Sequence, residues 1–305
     1  MAAQRRSAQR RLNTRREYLG FTLFVLPAVL FFGLYKYWPI FYSAFLSFVK
    51  WNFVSAMKWV GWSNFTAMFN KPVFYTAVIN TLKYIVALLP FFILLPLCLA
   101  LALLHVRSKA LANGYKAFFF VPTILAFSII CIVWLWMFNP QFGLINNVLK
   151  LFGIEELSWL SDKKAAFWAI VMVCGWKYIG SHMIIYMAGL LNISADCVEA
   201  SVIDGANAWQ CFWRVKFPLL APTTVYLFTT SVIFAAERAF TAIHLLTTGG
   251  PSYTTTNLSY LIYEYGFKAF NIGMASAIAL FTSIFFLIIT IVMMRTMGGY
   301  GYYED

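Results

Sequence analysis

The stretch Asn192-Ile193-Ser194-Ala195-Asp196-Cys197-Val198-Glu199-Ala200-Ser201-Val202-Ile203-Asp204-Gly205-Ala206, which continues through Arg214 and Lys216 to Pro218 and Pro222, is polar and amphipathic. It separates two almost wholly apolar runs, about 165–191 and 223–246. A helix of about 20 residues rises about 30 Å, the thickness of a bilayer's hydrocarbon core, so the flanking runs read as membrane spans and the stretch between them as a loop. Within the loop, Asp196 followed three residues later by Glu199 has the form of a capping box and predicts that a short helix starts there. Gly205 permits a turn before a second helical stretch, and Pro218 and Pro222 end that stretch and restart the chain as the next span. Either the segment is built to meet another protein or it is an ordinary solvated loop.

Four more apolar runs extend outward from this segment, at about 19–42, 74–104, 115–138 and 273–294, making six. The whole chain of 305 residues is 62% hydrophobic and 11% charged, with a mean hydropathy of +0.74. A soluble domain has about 45–50% apolar and about 25% charged residues. The runs are continuous and do not alternate, which favours helices over a barrel; an all-α polytopic membrane protein with six transmembrane helices is expected. Pro90 and Pro96 fall in the second, overlong run, where each removes a donor and favours a kink. The predicted domains are a basic arm over 1–17, one transmembrane domain over 18–295 and a short tail over 296–305. The first run is too long for a secretory signal and has no small-residue cleavage site behind it, so it reads as an uncleaved span.

The formal charge is +12, but Arg5, Arg6, Arg10, Arg11, Arg15 and Arg16 crowd ahead of the first run. That clustering reports membrane orientation, not nucleic-acid binding, and predicts both termini and the 192–222 loop in the cytoplasm. Arg107, Lys109, Lys116, Arg214, Lys216 and Arg295 then join the cytoplasmic side. Most of the tryptophans fall near predicted external span ends, where an indole anchors at the interface. The five cysteines imply no disulfide framework, and His105, His182 and His244 are too scattered for a metal site.

The sequence Glu199-Ala200-Ser201-Val202-Ile203-Asp204-Gly205-Ala206, with Phe212, Val215, Pro218 and Pro222, resembles the EAA signature of binding-protein-dependent ABC importer permeases. Ser201, Val215 and Phe217 replace alanine, isoleucine and leucine of that pattern, and Ser194 stands where proline is usual. The similarity covers nearly the whole chain and points to the carbohydrate-uptake branch of the maltose and glycerol-phosphate type. It is supported by Tyr37-Trp38-Pro39, Val60-Gly61-Trp62-Ser63-Asn64-Phe65, Phe138-Asn139-Pro140 and Gly249-Gly250-Pro251.

The resemblance implies a type I importer permease of the maltose-permease kind in a bacterial cytoplasmic (inner) membrane, working with a second homologous permease, two cytoplasmic ATPase subunits and an extracytoplasmic solute-binding protein. Residues 192–222 then form a coupling helix, with Glu199, Ala200, Asp204, Gly205 and Ala206 at the ATPase contact. No Walker lysine loop is present, so no catalytic residue and no cofactor is expected in this chain; ATP and magnesium belong to the ATPase partners.

Charged residues in mid-membrane require an account, and Lys83, Lys177, Glu237 and Arg238 are the cases here. Lys83 and Lys177 are read as snorkelling to the interface. Glu237 and Arg238 lie about 100° apart around a helix, so they are not expected to face one lumen together, and at least one pairs with a neighbouring helix or subunit. The family assigns the translocation path to the fourth and fifth spans, which makes Trp176, Tyr178, Glu237 and Arg238 candidate contacts for a carbohydrate or an anionic sugar-like solute. Helix packing is the competing reading for the two aromatics. The predicted external loops carry more lysines than acids, which would suit phosphorylated or acidic sugars, while neutral sugars fit as well. Two other classes remain open: an ion-coupled transporter using Glu237, and a membrane enzyme using Glu155, Glu156 and Asp162.

Overall fold

The computed structural model describes residues 21–297. The basic arm, the first two residues predicted for the opening span and nearly all of the predicted tail lie outside the described residues. The first crossing is α1 (Phe21–Leu46), followed by a hairpin of β1 (Val49–Lys50) and β2 (Lys58–Trp59). Next come the short α2 (Ser63–Phe69) and the long α3 (Pro72–Leu104). The third crossing is a bent pair, α4 (Lys109–Ile124) and α5 (Phe127–Met137). A loop carrying α6 (Leu144–Leu151) leads to the fourth crossing, α7 (Lys163–Leu191). The polar segment folds as α8 (Ala195–Ile203) and α9 (Ala208–Leu219). The fifth crossing is α10 (Ala221–Ala242); then follow α11 (Leu258–Tyr263) and the last crossing, α12 (Ile272–Met297). Among the described residues, four helices are long and apolar enough to cross a membrane, and counting each of the bent pairs α4–α5 and α9–α10 as one span, with α10 as the apolar arm of the second, gives six.

Helix α7 is the centre of the fold: most of its apolar stretch is buried, whereas that of α1 is wholly uncovered. It packs against α3, α4 and α10. Its start is fixed by Asp162, whose carboxylate accepts the backbone N–H groups of Lys164 and Ala165 at 2.9 and 2.8 Å. Those bonds hold the Asp162 carboxyl below the usual carboxylate range.

The third crossing departs from the continuous span expected over 115–138. It breaks between Ile124 and Phe127 and turns by 101°. Lys177 lies at the break and departs from expectation. It does not snorkel: it is 6% exposed, and its Nζ donates to the carbonyls of Pro122, Thr123 and Leu125 at 3.3, 3.3 and 2.8 Å. Lys83 is exposed on α3.

At one end of the bundle, residues after Gly249 fold back into the protein. Thr255, Thr256 and Asn257 are fully buried. Asn80 Nδ2 on α3 reaches the carbonyls of Tyr253, Thr254 and Thr256 at 3.2, 3.0 and 3.0 Å, and Tyr84 OH donates to Thr255 O at 3.1 Å. The Gly249-Gly250-Pro251 turn therefore opens a packed re-entrant segment. Asn80→Leu is expected to take this donor from the Thr254 and Thr256 carbonyls, while Tyr253 O keeps the Thr256 N–H at 3.2 Å, costing about 1–3 kcal/mol. Hydrogen exchange at residues 253–257 should accelerate accordingly, and unchanged protection would refute this role.

Candidate functional site

Two places collect the residues singled out by sequence, at different depths. The first is the helical lip α8–α9. Helix α8 is capped by Ser194, whose side chain accepts from Asp196 N at 3.2 Å. The expected cap, Asp196, instead sits in the first turn, where a carboxylate faces the positive end of the helix. The helix ends with Gly205 at φ +82°. Gly205 N donates to Val202 O and Ala206 N donates to Ser201 O, both at 3.0 Å. This is a Schellman-type stop, in which the left-handed residue carries almost no penalty only as glycine. A capping box then starts α9, with Asn207 and Gln210 bonding reciprocally at 3.0 and 2.9 Å.

Ser201, one of the departures from the EAA pattern, is buried and lies 3.2 Å from Cys211 Sγ, tying α8 to α9. The chain then bends by 65° into α10. Glu199, Ala200, Asp204 and Gly205 are exposed and Ala206 is half-buried. Around them stand exposed apolar side chains, including Ile203 at 85% and Trp209 at 70% exposure. A lip of this composition is suited to cover by a protein partner.

The second place is an open cavity of about 440 Å³ lined by Phe127, Tyr178, Phe234, Glu237, Arg238, Phe240 and Thr241. Its volume lies within the ~300–1,000 Å³ of small-molecule sites. Tyr178, Glu237 and Arg238 thus meet: although adjacent in sequence, Glu237 and Arg238 line one cavity together. Phe234, Glu237, Arg238 and Thr241 have the spacing i, i+3, i+4, i+7, so the two charged residues straddle the midline of one helical stripe. That spacing was readable from sequence. Phe127 was not, because only the break in the third crossing turns it into the cavity.

Arg238 is half-buried. Its guanidinium carbon lies 4.4 Å from the centre of the Tyr178 ring and 5.4 Å from those of Phe92 and Phe234. Such stacking stabilises a cation by about 0.5–2 kcal/mol per ring. Among the described residues its side chain makes one hydrogen bond, between Nη1 and His182 Nε2 at 3.4 Å, and no ion pair. Within this chain, aromatic faces take the place of an ionic partner for Arg238.

Trp176 stands apart. Two residues from Tyr178 is about 200° around a helix. Trp176 packs on Trp134, ring centres 5.8 Å apart, and lines a separate crevice with Phe118, Phe119 and Pro122. In the loop before α7, Glu156 pairs with Lys150 at 2.6 Å and Asp162 caps α7, so two of the three acids considered for an enzyme are occupied structurally.

Residues 60–297 match the family described as "Binding-protein-dependent transport system inner membrane component". The multiple sugar-binding transport system permease protein MsmF of Streptococcus mutans is 33% identical, with 90% of this chain and 93% of that protein covered. The sn-glycerol-3-phosphate transport system permease protein UgpA of Agrobacterium fabrum is 31% identical, with 84% and 86% covered. The fold is shared with a solved structure, a bacterial alginate ABC transporter in complex with alginate pentasaccharide-bound periplasmic protein. That comparison has a TM-score of 0.84 at 23% identity and covers 96% of this chain and 98% of that one. These matches displace the ion-coupled and enzymatic readings: the chain belongs to the family of inner-membrane components of binding-protein-dependent transport systems and is a multi-pass membrane permease.

Proposed function

We propose that this chain is one of two permeases of an ATP-driven carbohydrate importer, with the cavity at Tyr178, Glu237 and Arg238 forming part of the solute path. The observation that carries the reading is the contrast between two membrane cations. The three N–H groups of the Lys177 ammonium meet three carbonyls, whereas Arg238 holds five donors, uses one on His182 among the described residues and lines an open cavity. Unused donors, a carboxylate and aromatic walls in one cavity suit a polyhydroxylated ring, which offers acceptors, donors and an apolar face. The names of the relatives MsmF and UgpA favour a sugar or a sugar-like phosphate as cargo.

In this reading both termini and the α8–α9 lip are cytoplasmic, and the lip is seated on one of two cytoplasmic ATPases. A second permease completes the pathway and a solute-binding protein delivers cargo at the opposite end. ATP and magnesium act in the ATPases. Closure of the ATPase pair draws the lips together and rocks the permeases between two discrete packings.

The test is reconstitution with the partner permease, ATPases and binding protein. ATP hydrolysis should rise on addition of the loaded binding protein. Arg238→Gln should reduce uptake about tenfold or more, in line with ~1.5–3 kcal/mol for hydrogen bonds to a charged group. Full uptake by both Arg238→Gln and Glu237→Gln would exclude this cavity from the path.

A further inference from the structure

We infer that Lys177 is a positioning residue: its ammonium holds the break in the third crossing and thereby sets the Phe127 and Tyr178 rings that wall the cavity. The inference rests on the reading of that cavity as part of the solute path.

The three carbonyls that Lys177 meets belong to the end of α4 and the first residue beyond it. They are among the groups that a helix leaves without an intrahelical donor when it stops, at the end where its dipole is negative. In an apolar surrounding each needs a partner. A return bond runs from Thr123 Oγ1 to Lys177 O at 3.0 Å. One turn further along α7, Gly180 lies directly against the backbone of Phe119 and Phe120, where an added Cβ would come within 2.8 Å of Phe120 Cα. Helix α7 thus grips the end of α4 at two successive turns.

The break is not written in the residues that form it. Leu125 and Ala126 are strong helix formers, and the helix-disfavouring Pro122 lies inside α4, before the break. Without donors from Lys177, the least costly way to satisfy the last carbonyls is to continue the helix through Leu125 and Ala126. That would straighten the crossing and carry Phe127 away from Tyr178. In the observed arrangement the two rings are 6.1 Å apart, and the ammonium lies 5.6 and 5.5 Å from their centres. One side chain therefore links the bend in the backbone to the cavity wall.

The experiment uses the assembled importer carrying Lys177→Met, which keeps the apolar stem and loses every donor, beside Lys177→Arg, which keeps donors. Spin labels at Phe118→Cys and Trp136→Cys, in a background with the exposed Cys98 and Cys197 replaced by serine, report the distance across the break. A short, narrow distribution is expected for Lys177 and Lys177→Arg, and a longer or broadened one for Lys177→Met. In the same preparations without labels, maximal uptake should fall about tenfold or more in Lys177→Met. Half-saturation by loaded binding protein should stay unchanged, and Lys177→Arg should restore the rate. An unaltered distance in Lys177→Met overturns the inference. An altered distance with full uptake supports the clamp and overturns the solute-path reading on which its transport role depends. Should Lys177→Met fail to assemble, Thr123→Val, which removes only the return bond, is expected to shift the distance in the same direction by less; no shift there overturns the inference as well.

Discussion

Asp204→Arg combined with Gly205→Trp is expected to reduce nucleotide-driven uptake roughly a hundredfold or more while the six crossings stay folded, a loss of the size seen when a central interface residue is removed. Both positions are exposed, and nothing lies within 4 Å of a Cβ added at Gly205. The new side chain therefore starts from open space, its Cβ clear of this chain. Its internal cost is the left-handed backbone at φ +82°, about 1–2 kcal/mol for a residue with a Cβ, and it falls on the end of α8 alone. The arginine reverses charge at the same corner. What the pair does obstruct is any surface approaching the lip closely, which is where the ATPase is proposed to sit. Purified complex and uptake should fall together, with the permease still recovered from membranes at normal yield. Normal assembly and normal uptake would sink the coupling role.

Gly180→Val is expected to have the opposite pattern: the permease itself is lost. The carbonyl of Phe119 occupies the space of the missing side chain, and a Cβ there meets backbone, which cannot rotate aside. Helices α4 and α7 would have to separate. Forced overpacking costs typically about 1–3 kcal/mol, occasionally more, and separation also draws Lys177 away from its carbonyls. The measurements are thermal stability and yield in membranes, with Gly180→Ala as the smaller step in the same direction. Unaltered stability in both variants would show that the crossing point can give way.

Length and hydropathy made the six crossings legible, because bilayer thickness imposes the same requirement on every span. The turn at Gly205 and the restart at Pro222 were legible for a local reason, the backbone freedom of glycine and the missing N–H of proline. The cap on α8 was misread because Ser194 and Asp196 are both good capping residues, and which one takes the role depends on where the preceding helix releases the chain. The bend in the third crossing had one weak local signal, Pro122 in the last turn of α4, which does not fix where the chain turns. The other trace was a lysine in the fourth span, 52 residues beyond Leu125, since a buried ammonium must find acceptors somewhere. Trp176 and Tyr178 seemed one site as neighbours in sequence, although helical geometry alone places them on opposite faces.

The clamp that Asn80 makes on the re-entrant segment also has a consequence in time. Tyr253 follows Asn80 by 173 residues, and ribosomes add roughly 5–20 residues per second. For something like ten to thirty seconds after its own synthesis, this amide has none of the three acceptors it will finally hold. Its final partners come late, and the packing of the re-entrant segment on α3 waits until the chain beyond residue 256 has been made.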